Sequence, residues 1–166
     1  MNEPIYLSQP FRLAAGSDQG QDSNTTATMH GVDYSGDAVD LGWETIVIDL
    51  ETLNAAVPMP LLFAHDHGAD IGVVSAIDND GKTLTLTATL FDDVDERAAD
   101  IVAKARRGMP YQLSVGVFDG SVHQIGDGAT ATVNGRKFNG PISIVRGGTL
   151  REVPVVTLGA DPNADF

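Results

Sequence analysis

Few residues of this chain can do chemistry. There are four histidines, His30, His65, His67 and His123, and no cysteine, which excludes thiol nucleophiles, disulfides and thiolate metal sites. A serine hydroxyl is a weak nucleophile until a base within hydrogen-bond reach takes its proton. Ser114 is a small polar residue inside the apolar run Tyr111 to Phe118, two positions before Gly116, where the missing side chain lets another group approach. His65 follows Leu61-Leu62-Phe63-Ala64, at the point where a buried strand empties into a loop. Glu152 lies inside the apolar run Leu150 to Val156, where a carboxylate is costly unless paired. Each residue also has a structural reading. A strand serine commonly fills a gap, and a histidine at a strand end is commonly satisfied at the surface. Glu152 would sit on the wet face of an edge strand, a placement that Pro154 favours. Spacing alone does not choose, because triads are defined by geometry.

Two further arrangements compete. His65-Asp66-His67 sets two imidazoles on one side of a strand if the strand continues, a spacing that suits a metal-dependent hydrolase, with Asp66 and Asp70 as oxygen ligands. Gly68 follows at once and argues for a loop, which makes His67 a loop or pocket-lining residue. His30 and His123 read as surface residues, each able to replace Glu152 as the third member of a serine site. Gly126-Asp127-Gly128 and Gly147-Gly148 match no phosphate-binding loop, and no cofactor is expected.

The elements that must position these residues are mostly strands. Ile5 to Ala14 reads as a first strand, residues 16–26 as a mobile polar loop and 159–166 as a frayed tail. Asp49 is placed to cap a short helix from about Leu50 to Ala56, stopped by Pro58 and Pro60. Gly72 to Asp78 and Lys82 to Leu90 read as a hairpin, with Leu84, Leu86, Ala88 and Leu90 alternating with threonines. Asp92 to Arg107 reads as a helix, acidic at its start and basic at its end, with Ala98, Ile101, Val102 and Ala105 as its apolar stripe. In Tyr111 to Phe118, Leu113, Val115 and Val117 face one way, Gln112, Ser114 and Gly116 the other. Asp119 to Asp127 reads as loop, Asn134-Gly135 as a hairpin turn, and Ile142 to Val145 and Thr149 to Thr157 as the last strands. Strands and helices do not alternate, so the expected architecture is α+β, mainly β: an antiparallel barrel or rolled sheet with a few surrounding helices, in a single domain over 1–166.

Composition narrows the function classes. The 166 residues are 42% hydrophobic and 20% charged, an ordinary globular balance. A net charge of −13 repels phosphate backbones and argues against nucleic acid as a partner, while suiting basic protein partners. No apolar run reaches membrane-span length, and the first 15 residues lack the apolar centre of a secretory signal.

The ordered set Leu61-Leu62-Phe63-Ala64-His65-Asp66, Ile71-Gly72, Leu113-Ser114-Val115-Gly116-Val117 and Leu150-Arg151-Glu152-Val153 resembles the prohead (capsid maturation) proteases of tailed bacteriophages. Tyr34-Ser35-Gly36-Asp37 resembles that family's early turn, and Gly108 closes a helix just before the serine strand, over a stretch of roughly 27 to 162. The chain departs from the pattern at Phe63, often Trp, at Asp70, often Pro, at Pro154, usually Ser, and at Gly159-Ala160, usually Pro-Ala. The resemblance implies a fold like that of the herpesvirus assembly proteases, with Ser114 as nucleophile, His65 as base and Glu152 as orienting residue. It implies an endopeptidase that cuts scaffold and capsid precursor, and itself, inside the immature capsid in the host cytoplasm, with self-association possible. Backbone N–H groups near Gly147-Gly148 or Gly159 would form the oxyanion hole. The rivals are a non-catalytic phage module of the same fold, a plain binding barrel, and the metal hydrolase built on His65 and His67.

Overall fold

The computed structural model describes residues 5–10, 12–13 and 26–157. The expected mobile loop, apart from Thr26, and the expected tail, including Gly159, lie outside the described residues.

In chain order the strands are β1 (Ile5–Pro10), β2 (Arg12–Leu13), β3 (Thr28–Tyr34), β4 (Val39–Asp40), β5 (Thr45–Ile48), β6 (Asn54–Ala55), β7 (Met59–Phe63), β8 (Asp66–Asn79) and β9 (Leu84–Leu90). After helix α1 (Glu96–Arg106) come β10 (Gln112–Phe118), β11 (Ser121–Ile125), β12 (Thr130–Val133), β13 (Arg136–Asn139), β14 (Ile142–Arg146) and β15 (Thr149–Val156). The main sheet runs β1-β10-β15-β7-β8-β9-β3-β2, with β6 also paired to β15. Its two outermost strands, β1 and β2, are separated in sequence by one residue, so the sheet must roll until its edges nearly meet. β3 accordingly packs close to β1 and β10. Most pairs are antiparallel, but β15 runs parallel to both β7 and β6. The result is the mainly β rolled sheet that the residue pattern implies, with one long helix whose Ala98, Ile101 and Val102 join its core.

Alternation fills the roll. Leu84, Leu86, Ala88 and Leu90 point inward, while the intervening threonines are half-buried on the other face. They meet Leu61, Ile71, Val74, Leu113, Val115, Val153 and Val155 in one core. A smaller sheet, β11-β14-β5-β4, and the β12–β13 hairpin share a second cluster around Val47, Val133 and Ile144. Asn134 and Gly135 turn that hairpin at φ 53° and 72°. The Asn134 side chain is buried, donates to the carbonyls of Gly36 and Ile48, and accepts from the N–H of Leu50 at 2.9 Å. It thereby ties the hairpin to the Tyr34–Asp37 turn, where the Tyr34 hydroxyl accepts from the N–H of Ile48.

Several elements differ from expectation. Instead of one strand from Ile5, β1 and β2 join opposite edges of the sheet. The expected helix from Leu50 to Ala56 is a single 3₁₀ turn, Leu50–Thr52. Asp49 makes no side-chain cap there and instead meets Arg146 at 2.9 Å, while Asn54 and Ala55 pair with β15. The long helix begins at Glu96, because Asp95, not Asp92, takes the cap position and accepts from the N–H of Ala98 at 2.7 Å. Asp92 accepts instead from the N–H of Ala27. The expected loop after Asp119 contains β11, an exposed edge strand paired with β14. β15 is not an edge strand: β10 and β7 flank it, and Pro154 sits in its interior.

Candidate active site

Ser114 and Glu152 belong to neighbouring strands and to the same face. The register pairs Gln112 with Val156, Leu113 with Val155 and Gly116 with Glu152, which sets Ser114 across from Pro154. Leu113, Val115, Val153 and Val155 pack into the core, so Ser114, Gly116, Glu152 and Pro154 share the opposite face. Glu152 is therefore not a solvated edge residue. Its side chain is only 5% exposed and lies over Gly116, where any Cβ would come within 2.6 Å of its Cγ.

His65 arrives from β7. Ala64 and His65 are the two-residue link between β7 and β8, at φ 51° and 61°. Both central residues of a type I′ hairpin need positive φ, normally met by Asn or Gly. Residues with a Cβ hold it at a cost, and such strain gathers at functional sites. The N–H of Ala64 donates to the Val155 carbonyl at 3.0 Å and pins the turn onto β15. Phe63, just before the turn, is capped by the Arg97 guanidinium of α1, 5.6 Å from the ring centre.

β8 begins at Asp66, directly after His65, where a loop was expected. Phe63 pairs with Asp66 and Leu62 with Asp70, so His67, Gly68 and Ala69 bulge out of the ladder. The tight turn and the bulge together aim two imidazoles at one carboxylate. His65 Nδ1 lies 3.4 Å from Glu152 Oε1, a long contact, and His67 Nε2 lies 2.5 Å from Oε2. Each ring N–H donates to the carboxylate, which fixes both tautomers. Paired in this way, a buried carboxylate does not stand as an isolated charge.

Ser114 is fully buried, and its Oγ has no hydrogen-bond partner. Gln112, two residues back on the same face, likewise has a buried Oε1 without a partner. Buried unsatisfied polar atoms are few in a folded domain and call for an explanation, one being a catalytic role.

The structure thus brings His65 to Glu152 and sets Ser114 on the same sheet face. The alternatives for the third position fall elsewhere. His30 is exposed on β3, with its Nδ1 2.9 Å from Thr87 Oγ1, and His123 is exposed on β11 of the smaller sheet. His67, expected to line a loop or pocket or else to serve with His65 in a metal site, is the nearer imidazole to Glu152. Its partner is 85 positions away, and only the continuation of the strand past His65 hinted at the pairing. Gly148 packs beside Val117 and Gly120. Among the described residues no group of three His, Cys, Asp or Glu side chains is arranged to hold a metal ion, and Asp66 Oδ1 is used by the N–H of Gly68. Nor is any described helix long and apolar enough to cross a membrane.

The sequence matches no protein-family model and no curated protein. Among solved structures it is similar to the capsid assembly protease gp21 of bacteriophage T4, with a TM-score of 0.54 and 14% identity over 93% of this chain and 99% of that one. The rolled sheet described above thus shares its fold with that protease.

Proposed function

We propose that the chain is a serine endopeptidase of the prohead-maturation type, with Ser114 as nucleophile, His65 as base and Glu152 as the group that orients His65. The observation that carries this reading is the contact between His65 Nδ1 and the buried carboxylate of Glu152, on the sheet face that bears Ser114. With Nδ1–H donating to Glu152, Nε2 carries the imidazole lone pair. It takes the proton of the Ser114 hydroxyl as Oγ attacks a peptide carbonyl. The proton passes to the departing amine and an acyl-enzyme forms; water, giving its proton to the same base, then attacks the acyl carbonyl, and the proton returns to Ser114 Oγ as the acid leaves. Glu152 stabilises the imidazolium that forms at each step.

Scaffold and capsid precursor are the proposed substrates, and the immature capsid the place of work, by analogy with the structure of shared fold. The acidity of this chain suits basic segments on such partners. Ser114 must become accessible before it can react, and its burial is the observation that favours a second reading, a non-catalytic module of the same fold.

A fluorophosphonate separates the two. The protease reading expects a covalent adduct on Ser114 in the wild-type protein and none in His65→Ala. A wild-type protein with no adduct on Ser114 over a day at pH 8 would sink it.

A further inference from the structure

We propose that His67 is a positioning residue of this site: it holds the outer oxygen of Glu152 so that the inner one faces His65. The inference rests on the serine-protease reading and deepens it.

Glu152 has two oxygens and two imidazole partners, and the partners are unequal. Oε2 is 2.5 Å from His67 Nε2, whereas Oε1 is 3.4 Å from His65 Nδ1. The shorter contact is the one that fixes the carboxylate plane, because a charge-assisted N–H···O bond strengthens as it shortens. Below the carboxylate lies Gly116, with no side chain to hold it in place. A glutamate side chain, with three rotatable bonds, has rotamer freedom to lose above a glycine, and His67 is what removes it.

The backbone is arranged for this contact. His67 stands at the start of the bulge of His67, Gly68 and Ala69, and its side chain is 70% exposed, so it makes no contribution to the core that would account for its place. The bulge re-aims a side chain that regular pairing would carry elsewhere. His65, on the strained turn, then meets a carboxylate whose orientation is already set. His67 neither touches the scissile bond nor carries its proton, and it acts on the reaction only through Glu152. Groups in this supporting role typically change activity by about 10- to 100-fold when removed.

The test compares His67→Ala and His67→Gln with the wild type. The exposed position leaves the core untouched, so both variants should melt with the parent. His67→Ala is expected to lower the rate of Ser114 phosphonylation, and kcat on a cleaved peptide, by ~10-fold or more with KM unchanged. His67→Gln, which restores an N–H donor, is expected to recover most of the loss. An independent reading comes from ¹⁵N-histidine NMR: a low-field Nε2–H proton of His67 should appear in the wild type and in Ser114→Ala, and move upfield in Glu152→Gln. Equal rates for the wild type and His67→Ala would overturn the inference while leaving the protease reading intact, as would a missing low-field proton. A wild type that never labels at Ser114 would remove both, and the two failures are thus distinguishable.

Discussion

The Cβ that Gly116 lacks would lie 2.6 Å from Cγ of Glu152. A Cβ and a non-bonded carbon essentially never sit so close, so the glycine is the floor on which the carboxylate rests. Gly116→Ala is expected to push Glu152 away from His65. Displacement of about 1 Å in such a site costs on the order of 10²-fold in rate. Overpacking costs roughly 1–3 kcal/mol of stability. Phosphonylation rates of Ser114, read beside a thermal melt, check both. A Gly116→Ala protein that labels at the parent rate would mean that Glu152 does not act from where it lies.

Glu152→Gln keeps the shape of the side chain but removes its charge. The imidazolium of His65 then loses its counter-charge in the transition state. The loss in kcat is expected to be on the order of 10²-fold, smaller than in a triad with a short acid–base bond, because the His65 contact is long at 3.4 Å. Steady-state kinetics should place the loss in kcat and leave KM nearly unchanged.

Asp33 lies outside the site and makes a prediction about stability. It is the bulged residue between Val32 and Tyr34 of β3, fully buried, with neither carboxylate oxygen hydrogen-bonded. Burial pushes its carboxyl well above the usual carboxylate range. The folded protein therefore holds a proton that the unfolded chain has released. Stability is full below the ordinary carboxylate pKa and falls as pH rises from there toward the raised folded value. Asp33→Asn carries no such penalty. Urea unfolding should find the two proteins alike near pH 4 and the variant increasingly the more stable as pH is raised. A constant difference across that range would contradict the assignment.

Asn134 joins the hairpin turn to two other segments through three backbone partners, in a left-handed conformation that Asn tolerates well. Asn134→Ala should cost about 2–4 kcal/mol, from the orphaned polar groups and the backbone strain. The specific rate of Ser114 labelling by the folded fraction should not change. A chemical melt and a labelling time course on one sample separate the two effects.

The candidate site was legible where it lay in short segments. Ser114 and His65 stood at a strand interior and a strand end, and the alternation around Leu113, Val115 and Val117 already assigned Ser114 to the face away from the core. Glu152 was harder to read. Pro154 pointed to an edge strand, but β15 takes Pro154 in its interior, where β10 and β7 flank it. The turn at Ala64 and His65 left no trace, since neither residue favours positive φ and the conformation is imposed by the pairing of Phe63 with Asp66 and by the bond from Ala64 to Val155. The pairing of His67 with Glu152 leaves no local signal for a related reason, because the two are distant in sequence and only the bulge brings them together. β11 leaves no strand pattern in the sequence because an exposed edge strand shows no apolar alternation, and its partner β14 supplies the pairing.

The central claim is that Ser114 performs the cleavage. Its most direct measurement is to co-express the chain with its cognate capsid precursor, as wild type and as Ser114→Ala, and to map the resulting peptides by mass spectrometry. Discrete cuts in the precursor are expected with the wild type, and an intact precursor with Ser114→Ala. Equal cutting by both proteins, or cutting by neither, would contradict the claim.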